Sequence, residues 1–123
     1  MRAYVRKAQE FADAAAAASE LDAERHIAAT SLAIHAAINA ADAVCGARVG
    51  RRAAGESHDQ VVSLLTTAGT DGNAVAKDLR RLLPLKTQAE YEPEDIAHGV
   101  AAKAVERALR CVSVARVVAA GLD

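Results

Sequence analysis

Aromatic side chains are almost missing from this 123-residue chain, which has one Phe, two Tyr and no Trp. That argues against a surface that reads single-stranded nucleic acid by stacking successive bases. It also argues against a strand-rich core, which would want more Val, Ile, Tyr and Phe. Cysteine is scarce too. Cys45 and Cys111 each stand alone, which rules out the paired spacing of a zinc knuckle and suits inert thiols in a reducing compartment. There is no glycine-rich phosphate loop, and the Glu-x-x-His pairs of di-metal bundles are absent. The first residues lack the apolar run of a signal peptide, and no apolar stretch reads as long and charge-free enough to span a bilayer. The net charge of −1 gives no bulk pointer to a nucleic-acid partner. These absences lead to the expectation of one cytoplasmic domain over residues 1–123, with no membrane association, no cofactor and no bound metal.

What the chain has in quantity is alanine, the best helix former and the least bulky apolar side chain that still has a Cβ. The periodicity predicts an all-α protein, an antiparallel up-and-down bundle of four to five helices. A first helix is expected from about Ala3 to Ser19. A second follows Asp22 as N-cap and runs to about Ala47, with Ile27, Ser31, Ile34, His35, Ile38, Asp42 and Cys45 inward and Gly50 as its stop. A third runs from Ser57-His58-Asp59 to about Thr67, with Val61, Leu64 and Leu65 inward. Residues 68–73 read as a turn cluster. A fourth helix turns Val75, Ala76, Leu79, Leu82 and Leu83 to one side until Pro84 kinks or restarts it. Pro93 is expected to open a long fifth helix to about Ala120, with Val100, Ala104, Val105, Ala108, Cys111, Val112, Ala115 and Ala119 as its stripe.

Chemistry concentrates in the knot Arg48-Val49-Gly50-Arg51-Arg52-Ala53-Ala54-Gly55-Glu56-Ser57-His58-Asp59. An arginine holds a phosphate by paired hydrogen bonds at any accessible pH, and a histidine exchanges a proton near neutrality. Metal-free RNA cleavage needs a base for the 2′-hydroxyl, a cation for the phosphorane charge and an acid for the leaving oxygen. Arg52-x5-His58 supplies the first two, with Arg51-x6-His58 as the other pairing; a second proton-transfer group would have to come from a symmetric dimer. The same residues also suit a solvated loop ending in an N-cap.

Three further groups stand out. His35, Asn39 and Asp42 share a helix face, where they would hold a catalytic arginine or histidine in place or form a core polar network. Lys86 and Glu90 are an i, i+4 pair followed by Tyr91, either a phosphate contact with a hydroxyl or a surface ion pair. Lys103, Arg107 and Arg110 form a basic edge that would track a phosphate backbone or simply face water.

Taken together, these residues resemble the HEPN family (higher eukaryotes and prokaryotes nucleotide-binding). The resemblance is carried by the run Ala33-Ile34-His35-Ala36-Ala37-Ile38-Asn39-Ala40-Ala41-Asp42-Ala43, by Gly50-Arg51-Arg52 leading into His58-Asp59, and by Lys86-Thr87-Gln88-Ala89-Glu90-Tyr91. It implies a helical bundle that forms a homodimer. It also implies a metal-independent endoribonuclease with an Arg-x4–6-His motif, acting as a toxin or in phage defence beside a nucleotidyltransferase-type antitoxin. Arg52 and His58 match the motif as catalytic residues, with Arg48, Arg51, Asp59, Lys86 and Tyr91 as auxiliary or RNA-binding groups. The chain departs from many active members in having Gln60 where they have a tyrosine, and in placing the motif between its second and third helices. Members without nuclease activity bind nucleic acid, nucleotides or protein, so a non-catalytic binding bundle is the competing expectation.

Overall fold

The computed structural model describes residues 2–21, 26–50, 58–91 and 95–121. Six helices occupy them: α1 Arg2–Leu21, α2 His26–Arg48, α3 His58–Leu65, α4 Gly69–Leu82, α5 Pro84–Tyr91 and α6 His98–Ala120. Among the described residues there is no strand, so the protein is all-α.

α2 is the hub. It packs most extensively against α6 and α1, while α4 covers both α2 and α6 from another side and the short α3 and α5 fill the flanks. The first residues of α2 and α6 meet, as His26 and His98, so this pair of 23-residue helices runs in the same direction. The start of α1 instead lies beside the end of α6, where Gln9 accepts from Arg116.

The core explains the shortage of aromatics. Ala8, Ala12, Ala15, Ala29, Ala33, Ala36, Ala37, Ala40, Ala41, Ala104, Ala108 and Ala115 are fully buried, and the bulkiest buried side chains are Ile34, Leu65, Leu79, Leu82 and Ile96. Alanine contacts let helix axes approach closely, so α2 is covered nearly all round by its neighbours. Part of the face assigned to α2 holds, with Ile34, Asp42 and Cys45 buried. Ile27, Ser31, His35 and Ile38 lie at half-buried flanks, and the alanines between them take the interior. By length and composition α2 is also long and apolar enough to cross a membrane, contrary to the expectation; 61% of its most apolar stretch is buried inside the bundle.

Local signals act where expected at two places. Gly50 takes φ +80°, and both its N–H and that of Val49 donate to the Cys45 carbonyl, closing α2. Pro84 restarts the chain as the first residue of α5 after a one-residue break at Leu83.

Elsewhere the boundaries move. The turn cluster shrinks to residues 66–68, because Gly69-Thr70-Asp71-Gly72-Asn73 forms the first turns of α4. Gly69, at φ +78°, absorbs the change of direction, and Asp71 sits in the positive first turn of the helix. Gly72 is needed for packing, since a Cβ there would run into the Leu65 carbonyl oxygen and lie 2.6 Å from the Ala68 Cβ. The last helix begins at His98 and not at Pro93, with residues 95–97 non-helical and Ala97 extended at ψ 146°. That extended link lets Ile96 plug a small satellite core with Ala89, Ala101 and Ile27. On α6, Val100 is exposed and Ala101 takes the buried position, while Val118 is buried beside the half-buried Ala119. Asp22, Ser57 and Pro93, expected to cap or open helices, lie outside the described residues.

Candidate functional site

The knot between α2 and α3 is described at both ends. Arg51 and Arg52 lie outside the described residues, and of His58 the structure gives the backbone, as the first residue of α3. Arg48, the last residue of α2, donates to the Asp71 carboxylate at 2.9 Å, with both side chains partly exposed. The pair links the negative end of α2 to the first turn of α4, each charge complementing its own helix dipole. Arg48 thus links the end of α2 to the start of α4.

Next to His58, Asp59 opens onto a groove of about 600 Å³. One wall is α3, through Asp59, Val62 and Ser63; the other is the α4–α5 junction, through Arg80, Leu83 and Pro84. The α3 wall follows one helical face, since Val62 and Ser63 lie three and four residues after Asp59. Arg80 is exposed, as are Asp59 and Ser63. The groove thus offers a guanidinium for an anion, opposite a carboxylate and a hydroxyl. Arg80 was not among the expected site residues. Its signal was the basic run Lys77, Arg80, Arg81 and Lys86, joined to a stripe of Val75, Ala76, Leu79 and Leu82 that leaves Arg80 outside the core.

A second polar cluster forms where α5 crosses α2. The Glu90 carboxylate accepts from Lys86 Nζ at 3.1 Å and lies 3.8 Å from His35 Nε2. His35 stacks on Phe11, with ring centroids 5.3 Å apart. Asn39 turns its side chain inward along its own helix and donates to the His35 carbonyl at 2.8 Å. Two groups that were separate in the sequence are thereby joined, His35 with Asn39 and Lys86 with Glu90. Tyr91 closes α5 with its side chain outside what is described. Asp42 is buried, 9% exposed, and its charge acts on Cys45 one turn away: burial first, and then this carboxylate, push the Cys45 thiol up to about 11. Such a thiol stays protonated and unreactive at neutral pH.

The basic edge of α6 is largely neutralised. Arg110 grips the buried Asp78 with two bonds, Nη2 to Oδ1 at 2.7 Å and Nε to Oδ2 at 3.1 Å, and reaches Glu106 at 3.3 Å. This grip raises the Arg110 guanidinium above its ordinary range. Arg107 has Nε 4.0 Å from Asp78, buried and without a hydrogen-bond partner, and Lys103 lies 4.0 Å from Glu106. Behind them, Cys111 is pushed up to about 12, by burial and then by Asp78. A row of cations that looked able to track a phosphate backbone is, in its two arginines, the clasp between α6 and α4.

A different basic surface appears at the end of the bundle where α1 starts and α6 stops. Arg2, Arg6 and Arg116 line a groove of about 410 Å³ floored by Val5, Ala119 and Ala120, with Gln9 at its edge. No carboxylate among the described residues lines it. Among the described residues no group of three or more His, Cys, Asp or Glu is placed to hold a metal ion. No family model matches the chain, and no curated protein is detectably similar to it.

Proposed function

We propose that this protein is an RNA-cleaving up-and-down bundle of HEPN type that works as a homodimer without a catalytic metal. The observation that carries this reading is the α3 groove. The helix that His58 opens walls an exposed cleft in which Arg80 faces Asp59 and Ser63. The register that brings Asp59, Val62 and Ser63 to the cleft has His58 one turn before Val62. In the proposed reaction His58 takes the proton of the 2′-hydroxyl and Arg52 holds the scissile phosphate. Arg51 and Arg80 add charge for the flanking backbone. The leaving 5′-oxygen receives its proton from the second protomer's copy of the motif. A chain of net charge −1 reaches RNA through such local cations. A toxin or defence protein restrained by a nucleotidyltransferase-type partner is the biological role that fits this chemistry.

The test is cleavage of a mixed RNA in EDTA. His58→Ala and Arg52→Ala should each lower the rate by about 10²-fold or more, the scale of a lost proton-transfer group, with helical content unchanged. Cleavage persisting in His58→Ala would end the assignment.

A second reading has its own observation. The groove lined by Arg2, Arg6 and Arg116 would hold a phosphate-bearing polymer without turnover, Arg6 and Arg116 supplying the charge. It predicts salt-sensitive RNA binding that Arg6→Ala with Arg116→Ala removes, in a protein whose His58→Ala variant behaves as wild type.

A further inference from the structure

Four histidines occur in the chain, and two of them meet from positions 72 residues apart. His26 is the first residue of α2 and His98 the first of α6. His26 Nδ1 lies 3.1 Å from the carbonyl oxygen of Ile96. A carbonyl only accepts, so His26 carries its proton on Nδ1 and presents the lone pair of Nε2. That lone pair faces His98 Nδ1 at 3.4 Å, with ring centroids 5.2 Å apart and planes inclined at 57°.

These two separations do not describe a good hydrogen bond. N–H···N contacts are strongest near 2.9–3.0 Å, and 3.4 Å is at the weak limit. If the rings faced each other along that bond, their centroids would stand about 5.7 Å apart, one ring radius of about 1.15 Å beyond each nitrogen. The observed 5.2 Å means that the ring axes are bent off the line between the nitrogens. Two imidazoles on one tetrahedral Zn²⁺, with Zn–N bonds of about 2.0–2.1 Å, hold their nitrogens about 3.4 Å apart and their centroids about 5.2 Å apart. Both distances between His26 and His98 match. The Ile96 carbonyl supplies the usual outer partner of a metal-bound histidine, fixing tautomer and ring orientation.

We infer that His26 and His98 form a two-histidine site for a divalent transition-metal ion of the Zn²⁺ class, clamping the start of α2 to the start of α6. Binding needs no net proton loss. His98 is exposed, so its Nδ1 proton passes through solvent to Nε2 as Nδ1 takes the metal. Among the described residues no third His, Cys, Asp or Glu joins the pair. The clamp closes over the satellite core of Ile27, Ala89, Ile96 and Ala101, so its consequence is to tie the extended link at residues 95–97 to α2.

The test is calorimetric titration of the full chain with Zn²⁺ alone, beside thermal unfolding with and without the ion. One Zn²⁺ per chain should bind in about the micromolar range, as a partial ligand set allows, and raise the melting temperature. His98→Ala and His26→Gln should each weaken binding by about tenfold or more and abolish the thermal shift. The glutamine variant keeps a donor for the Ile96 carbonyl, so its fold is expected to survive, as far-UV circular dichroism would report. His35→Ala should bind like wild type. Absence of saturable binding in the wild type, or wild-type binding in both variants, would overturn the site.

Discussion

Two basic stretches look alike on paper and end differently. Residues 77–86 and 103–116 each carry four cations against one acid. On α6, Arg107 and Arg110 find Asp78, a carboxylate at 8% exposure, and are drawn into the seam with α4. On α4, Arg80 points away from the buried Val75, Ala76, Leu79 and Leu82 and lines the groove with α3. The difference lies in what each cation faces across the helix interface, more than in the cations themselves. A buried carboxylate turns a neighbouring arginine into a structural clasp, because leaving either charge unpaired is costly. An arginine facing a solvated groove stays available to a ligand.

The comparison can be broken at the carboxylate first. Asp78→Ala removes two charge-assisted bonds and leaves Arg107 partly buried without its partner, so unfolding in urea should show a loss of about 2–3 kcal/mol. Arg80→Ala tests the other side. It should lower RNA cleavage by about tenfold, or about 1.4 kcal/mol of transition-state binding, while stability moves by no more than about 0.5 kcal/mol. If the two variants exchanged these outcomes, the division between clasp and groove would be wrong.

A finer probe is the thiol behind the clasp. Burial and Asp78 push Cys111 up to about 12, so the folded chain keeps a proton that the unfolded chain has already lost. Stability is therefore full below about pH 9 and falls as pH rises towards 12. Each such thiol contributes up to about 1.4 kcal/mol per pH unit in that window. Cys111→Ala should flatten the alkaline limb by that slope, as followed by urea titrations from pH 9 upward. Cys45, raised to about 11, accounts for part of the remaining slope.

Much of the fold was legible because its signals are local. Gly50 ends α2 with positive φ, Pro84 opens α5, and the leucines of α4 fall on one buried face at helical spacing. Where the reading slipped, the cause was a tertiary preference. Pro93 and the acids after it look like a helix start, but Ile96 gains more by entering the satellite core from an extended link. Gly69 to Asn73 has a turn composition, yet Gly72 serves a close approach to Leu65 within α4. Of the candidate site, the sequence placed Asp59 beside the groove and foresaw the Lys86–Glu90 ion pair, while Arg51 and Arg52 lie outside the described residues. Arg80 and the junction with His35 were not visible, because their partners come from other helices.

By itself, then, the sequence determined that this chain is helical and where most helices stop, since propensity, capping and proline geometry act within a few residues. It placed Ile34, Asp42 and Cys45 of α2 inward but not the alanines that take most of its interior contacts, because alanines surround that helix and leave little contrast for a period to reveal. Only the packed structure decided that His26 meets His98 across 72 residues and that Arg110 closes on Asp78 across 32. Such encounters depend on how closely small side chains let the helices approach, a property of the assembled core that no local stretch encodes.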